Sequence, residues 1–317
     1  MSFSIASLQE QDFSLIQLSD PATGIRTKIL PDHGALLQEF SMPVKGGRLQ
    51  AVTGYHNLAD LKQHHALFYR SAKLSPFPCR ILDGRYYFDG KAYEFRHKFP
   101  DGSAIHGLLA DKPFTVLETE ASAAEASVLL EYRYHQEDPG YPFDYKINVK
   151  YTLKPEGRLK LETRVTNFSD LRIPMADGWH PYFSLGGKAD DWTLTIDART
   201  MLFLNDRLVP TGEKQTQDEF YAGARISDFR FDHCFLLEFD PDRPACRLYN
   251  PQNRAYLSLF PDKSYPYLQV YSPDDRLSLA IENLSAAPDS FNNGIGVTLL
   301  EPKHSQSFTT VYQIGLD

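Results

Sequence analysis

This sequence predicts an antiparallel all-β fold, on three observations. Apolar residues recur with a period of two through most of the chain. Aromatics are abundant, with 21 Phe and 18 Tyr among 317 residues, and 21 Pro and 19 Gly punctuate the apolar runs. Period two places alternate side chains on opposite faces of a strand. Aromatic residues suit a half-buried pleated surface, and Pro and Gly mark turns. Many short strands without regular strand–helix alternation argue against a parallel α/β sheet. Large β folds reach this length as one unit, so residues 1–317 are read as a single domain.

The elements follow in order. NLADLKQHHALF, residues 57–68, is the clearest helix, with Asn57 as cap and Leu58, Leu61 and His65 near one face. Its neighbouring His64 and His65 point in different directions and are read as solvated. VLLEYRY (128–134) alternates as a strand. In YKINVKYTL (145–153), Tyr145, Ile147, Val149, Tyr151 and Leu153 share a face; KPEGR turns the chain, and Leu159, Leu161, Thr163 and Val165 return it, forming a hairpin. WTLTIDA (192–198), CFLLEF (234–239), YLQVYS (267–272), LSLAIEN (277–283) and FTTVYQI (308–314) repeat the grammar.

Composition narrows the partners. A net charge of −8 and the lack of a Lys/Arg run exclude a nucleic-acid surface. No stretch is apolar for the ~18 residues of a membrane span. The start, MSFSIASLQEQDF, lacks a signal-peptide pattern, and three cysteines without paired spacing suit a reducing compartment, so a cytoplasmic location is expected. Neither a dinucleotide fingerprint nor a P-loop occurs, so no nucleotide chemistry is expected. A small neutral molecule is the expected partner; oligomeric state is not legible.

Four polar sites stand out: His106 in AIHGLL, His180 in GWHPYF, Asp232 and His233 in RFDHCF, and Glu282 in AIENLS. Pro181 pushes His180 into extended geometry. Gly107 would let a ligand approach the backbone beside His106. Glu282 shares a face with Ala280, and taken alone it reads more readily as an exposed edge residue than as a pocket carboxylate. Alternation allows only one side of the Asp232–His233–Cys234 trio to face a site, and no second ligand cluster points to a metal.

The order of landmarks carries further: GALLQEF (34–40), PCRILDGRYYFDGKAYEF (78–95), IHG, GYPFDYKINVKYTL (140–153), HPYF, NDRLVPTGE (205–213), FDHCF, LQVYS and AIEN. Together they resemble the aldose 1-epimerase (galactose mutarotase) family. The resemblance implies a large twisted antiparallel β-sandwich with an open cleft for a hexose. It implies Glu282 as catalytic base and His180 as catalytic acid, with His106, Arg80, Asp232 and Gln269 around the sugar, and no metal or other cofactor. The chain differs from the common pattern in having Cys79 before Arg80, Leu108 after His106-Gly107, and Asp177-Gly178-Trp179 leading into His180.

Interconverting anomers needs a base for the anomeric hydroxyl proton and an acid for the ring oxygen. An imidazole with an unperturbed pKa of about 6.5 suits the acid, and a carboxylate raised by burial suits the base. Three alternatives stand beside this reading. A hexose-6-phosphate epimerase would need a cationic clamp, for which Arg70, Lys73 and Arg85 are available. A non-catalytic sugar-binding protein would need only the cleft. A glycoside hydrolase or lyase would need two carboxylates, Asp232 and Glu282.

Overall fold

The computed structural model describes residues 2–317. Its strands form three main antiparallel sheets of five, nine and eight strands, with three two-stranded ribbons between them. The nine-stranded sheet grows from the expected hairpin: Asp144–Lys154 pairs with Arg158–Asn167 in continuous register, and Glu156 and Gly157 turn the chain at φ of +61° and +66°. Tyr145, Ile147, Val149, Tyr151 and Leu153 are all buried, as the alternation requires.

The eight-stranded sheet carries the site. Its order runs Pro210–Thr216, Thr200–Leu204, Asp232–Leu236, Tyr267–Tyr271, Leu279–Leu284, Gly178–Trp179 and Lys73–Leu74, with Tyr182–Phe183 also pairing against Leu279–Leu284. Its core face, with Phe183, Val270 and Ile281, joins Ile147, Leu257 and Tyr312 of the nine-stranded sheet in one apolar cluster. Each fully buried aliphatic or aromatic side chain of this kind contributes roughly 1.5–3 kcal/mol. The sandwich thus leaves the other face of the eight-stranded sheet available to form a cleft.

Some expectations change. The helix is Leu58–Phe68, and Asn57 caps it by accepting from the Asp60 amide. His65, however, is not solvated. It is buried, with Nδ1 2.9 Å from the Tyr55 hydroxyl and Nε2 2.8 Å from the Ala110 carbonyl, because position 65 falls on the stripe of Leu61. His64 stays at the surface beside Asp60. The strand expected over 234–239 is instead Asp232–Leu236, and the Leu237 amide, donating to the Pro266 carbonyl, carries its pairing with Tyr267–Tyr271 one residue further. A five-stranded meander, Ser4–Glu10 through Gly47–Gln50, precedes the helix.

Candidate active site

The site is built by register. Gly178 pairs with Leu284 and Tyr182 with Ala280, so the same alignment sets His180 opposite Glu282. Glu282 pairs with Gln269, and Gln269 with Cys234. One row across adjacent strands therefore reads His180, Glu282, Gln269, Cys234, and the next contains Tyr182, Ala280, Tyr271 and Asp232. Pleating points both rows to the same face. Asp232 and Cys234 thus face the cleft side, while His233 turns toward the Phe229 and Phe231 rings.

His180 is held in extended geometry: its amide donates to Ala72 at 3.1 Å and its carbonyl accepts from Ser71 at 2.8 Å. Its Nε2 lies 3.3 Å from Glu282 Oε1. Both are buried, at 5% and 2% exposure. Glu282 lies on an interior strand whose six residues, Leu279–Leu284, are all buried, so the exposed-edge reading of this carboxylate fails. His106 stands at right angles to His180, with ring centroids 4.8 Å apart.

Arg80 and His106 come from the ribbon Arg80–Ile81 and Ala104–Ile105. The His106 amide donates to the Cys79 carbonyl at 2.7 Å. Gly107 has a different use from the one expected: at φ +77°, a Cβ there would sit 2.2 Å from the Ser75 carbonyl oxygen. Close packing of two backbones, rather than approach of a ligand, requires the glycine. Asp232 Oδ1 accepts from Gln269 Nε2 at 2.7 Å, and Arg80 donates to Asp101 at 2.8 Å.

All six expected side chains, Arg80, His106, His180, Asp232, Gln269 and Glu282, line one cleft of about 310 Å³. Glu282 Oε2, Gln269 Oε1 and the Nδ1 atoms of His106 and His180 are buried without a hydrogen-bond partner. Unpaired buried polar atoms are costly, and their concentration here marks groups available to a polar ligand. Tyr182, stacked on His180 at 5.1 Å and 16°, was legible as the residue two positions on in an extended segment. Tyr69, 4.8 Å from His106, and Asp101 sit in connecting segments whose sequence carries no such signal.

Burial sets the electrostatics. It drives Glu282 well above the usual carboxylate range, with Asp232 adding to the rise, and takes His180 down to about 4. His106 is lowered by burial, then by His180 and Arg80. The imidazole therefore does not keep its ordinary value, and a proton shared by the pair favours the carboxyl over the ring.

The donor atoms of His106, His180 and Glu282 lie within 4.8 Å of one another. Metal bonds of 2.0–2.2 Å hold tetrahedral ligand atoms about 3.5 Å apart, so the trio would have to contract to grip an ion. The phosphate clamp that the hexose-6-phosphate alternative would need does not assemble. Lys73 is buried behind the sheet with Asp177, Arg85 pairs with Glu94 at the surface, and Arg70 lies against Phe68 and Tyr55. Arg80 is the only Lys or Arg among the described residues lining the cleft, against Asp101, Asp232 and Glu282.

Comparison with known proteins bears on the family and the fold. The profile of the aldose 1-epimerase family matches residues 14–313. The chain is 28% identical to the uncharacterized protein YihR of Escherichia coli K12 over 75% of this chain and 77% of that one. It is 26% identical to human galactose mutarotase over 72% of this chain and 68% of that one. A galactose mutarotase-like protein from Clostridium acetobutylicum superposes with a TM-score of 0.87 at 20% identity, covering 100% of this chain and 99% of that one.

Proposed function

Because the chain belongs to the aldose 1-epimerase family, we propose that it interconverts the α and β anomers of a free, unphosphorylated hexose, with Glu282 and His180 exchanging the protons. One observation carries the reading: the 3.3 Å approach of His180 Nε2 to Glu282 Oε1 on the floor of a polar cleft. A single proton moved across that gap converts the resting neutral pair into carboxylate and imidazolium. Glu282 then takes the proton of the anomeric hydroxyl while His180 protonates the ring oxygen. The C1–O5 bond breaks, C1 becomes a carbonyl, and rotation about C1–C2 exposes its other face. Ring closure returns both protons.

Each positioned group contributes about 10²–10⁴-fold. Arg80 offers a fork of donors beside the ring, and Asp232 and Gln269 accept from and donate to hydroxyls. Arg80, the one arginine of the cleft lining, already pairs with Asp101, and Asp232 faces the same cleft, which disfavours a phosphorylated sugar. The alternative of a sugar-binding protein without turnover has no need for the His180–Glu282 approach.

The test is anomer exchange by polarimetry or NMR on freshly dissolved α-D-glucose, α-D-galactose and their 6-phosphates. Acceleration of a free hexose, with the 6-phosphates at least tenfold poorer, is expected. Acceleration of none refutes the enzymatic reading, and preference for a 6-phosphate refutes the substrate class.

A further inference from the structure

Directly behind His180, on the core side of the sheet, lies a buried ion pair that takes no part in the chemistry above. Side chains alternate along a strand, so His180 faces the cleft while Asp177 and Trp179 point the other way. Lys73, from the neighbouring strand and in register with Trp179, is wholly buried. Its ammonium grips the three residues that precede His180. It pairs with the Asp177 carboxylate, donates to the Gly178 carbonyl at 3.1 Å, and lies 4.4 Å from the centre of the Trp179 ring.

Asp177 then reaches the strand of Glu282. Its amide donates to Ser285 Oγ at 2.8 Å, and its carbonyl accepts from the Ser285 amide at 2.8 Å. Ser285 directly follows Leu279–Leu284. Asp177 Oδ1 also accepts from the Tyr265 hydroxyl at 2.6 Å. The ion pair is thus joined on one side to the backbone leading into His180 and on the other to the strand bearing Glu282.

A buried ion pair is a weak source of stability, since replacing both partners with apolar residues of similar volume is often neutral or favourable. Its geometric consequence is sharper, because an ammonium with three partners fixes the twist and register of the segment that holds it. We propose that Lys73 and Asp177 are positioning residues that set the separation and orientation of His180 against Glu282. The proposal rests on those two groups being the proton-exchanging pair. The pair acts through the backbone of residues 177–179 and never touches the sugar.

The test is the double variant Lys73→Met/Asp177→Leu, compared with wild type by anomer-exchange kinetics, thermal melting and NMR titration of the His180 ring. The ring signal is assigned by its loss in His180→Asn. Positioning predicts a melting temperature within a few degrees of wild type, kcat at least tenfold lower, KM within threefold, and a displaced His180 titration. Unchanged kcat and an unchanged titration in the folded double variant would overturn it.

If the double variant does not fold, Tyr265→Phe decides. It deletes one hydroxyl from Asp177, on the side away from the cleft, and should lower kcat two- to fivefold at constant KM and shift the His180 signal; no change in either overturns the proposal. Should wild type accelerate no sugar, the catalytic reading fails on its own, while the NMR arm still decides whether the ion pair orients the imidazole.

Discussion

Glu282→Gln preserves the size and shape of a side chain that is only 2% exposed, and removes its ability to accept a proton. Loss of a positioned base costs about 10²–10⁴-fold in rate, equivalent to about 3–5 kcal/mol of barrier. The same change should stabilise the fold at neutral pH, and the sign follows from linkage. Burial holds the folded carboxyl above its ordinary 4.5. Its contribution to stability is complete below that value and is lost as pH rises toward the folded pKa. Over that interval each pH unit costs about 1.4 kcal/mol.

Glutamine does not titrate, so the variant's advantage opens above pH 4.5 and grows with pH. In a chain this long, 1 kcal/mol moves the melting temperature by roughly 2 °C. Anomer exchange followed by NMR, with melts at pH 5 and 7.5, reads both effects. A variant within tenfold of wild-type activity would refute the base assignment. An advantage in melting temperature equal at both pH values would refute the claim that burial strains this carboxyl.

Three further outcomes follow from the same geometry. With His180 lowered to about 4 by burial, the acid limb of kcat/KM belongs near pH 4, where the pair takes a second proton and Glu282 can no longer act as base; a limb near 6.5 in a pH–rate profile would deny that burial. Asp232→Asn exchanges an acceptor for a donor facing Gln269 at 2.7 Å, and should raise KM about tenfold, one lost polar contact of about 1.4 kcal/mol, with kcat within threefold. Steady-state kinetics showing the reverse split would place Asp232 in the chemical step. Gly107→Ala should cost at least about 1–3 kcal/mol in urea unfolding, because the left-handed φ of +77° and the contact at 2.2 Å with Ser75 leave no room for Cβ; a neutral result would mean that the two backbones part easily.

What was legible in the sequence is what repeats locally. The hairpin around Gly157 announced itself because alternation and a turn signal agree. The meander before the helix did not: its first turn uses Gln11 and Asp12 at φ of +53° and +66°, with no glycine to mark it. The six site residues came from the order of motifs, and they meet in one cleft. What the residues alone hid was environment. Glu282 read more readily as an exposed edge residue because its burial depends on strands more than 90 residues away in sequence, such as Gly178–Trp179 and Lys73–Leu74. For the same reason the sequence shows neither the lowered imidazole pKa of His180 nor the complete burial of Lys73 with Asp177, which removes it from any phosphate site.

The cross-strand register explains why this chemistry sits on an antiparallel sheet. A one-residue slip of the strand bearing Glu282 would send its carboxylate to the core face and bring Ile281 or Asn283 opposite His180. The alignment is therefore all-or-none, and it is fixed on both sides of the pair by Gly178 with Leu284 and by Tyr182 with Ala280. Pro181 interrupts the ladder between those anchors: it has no amide to donate, yet its carbonyl still accepts from Ile281 at 3.2 Å. That carbonyl keeps the strands joined, while the pleat turns the buried His180 ring to the cleft face and the backbone bonds to Ser71 and Ala72 lock the residue in place.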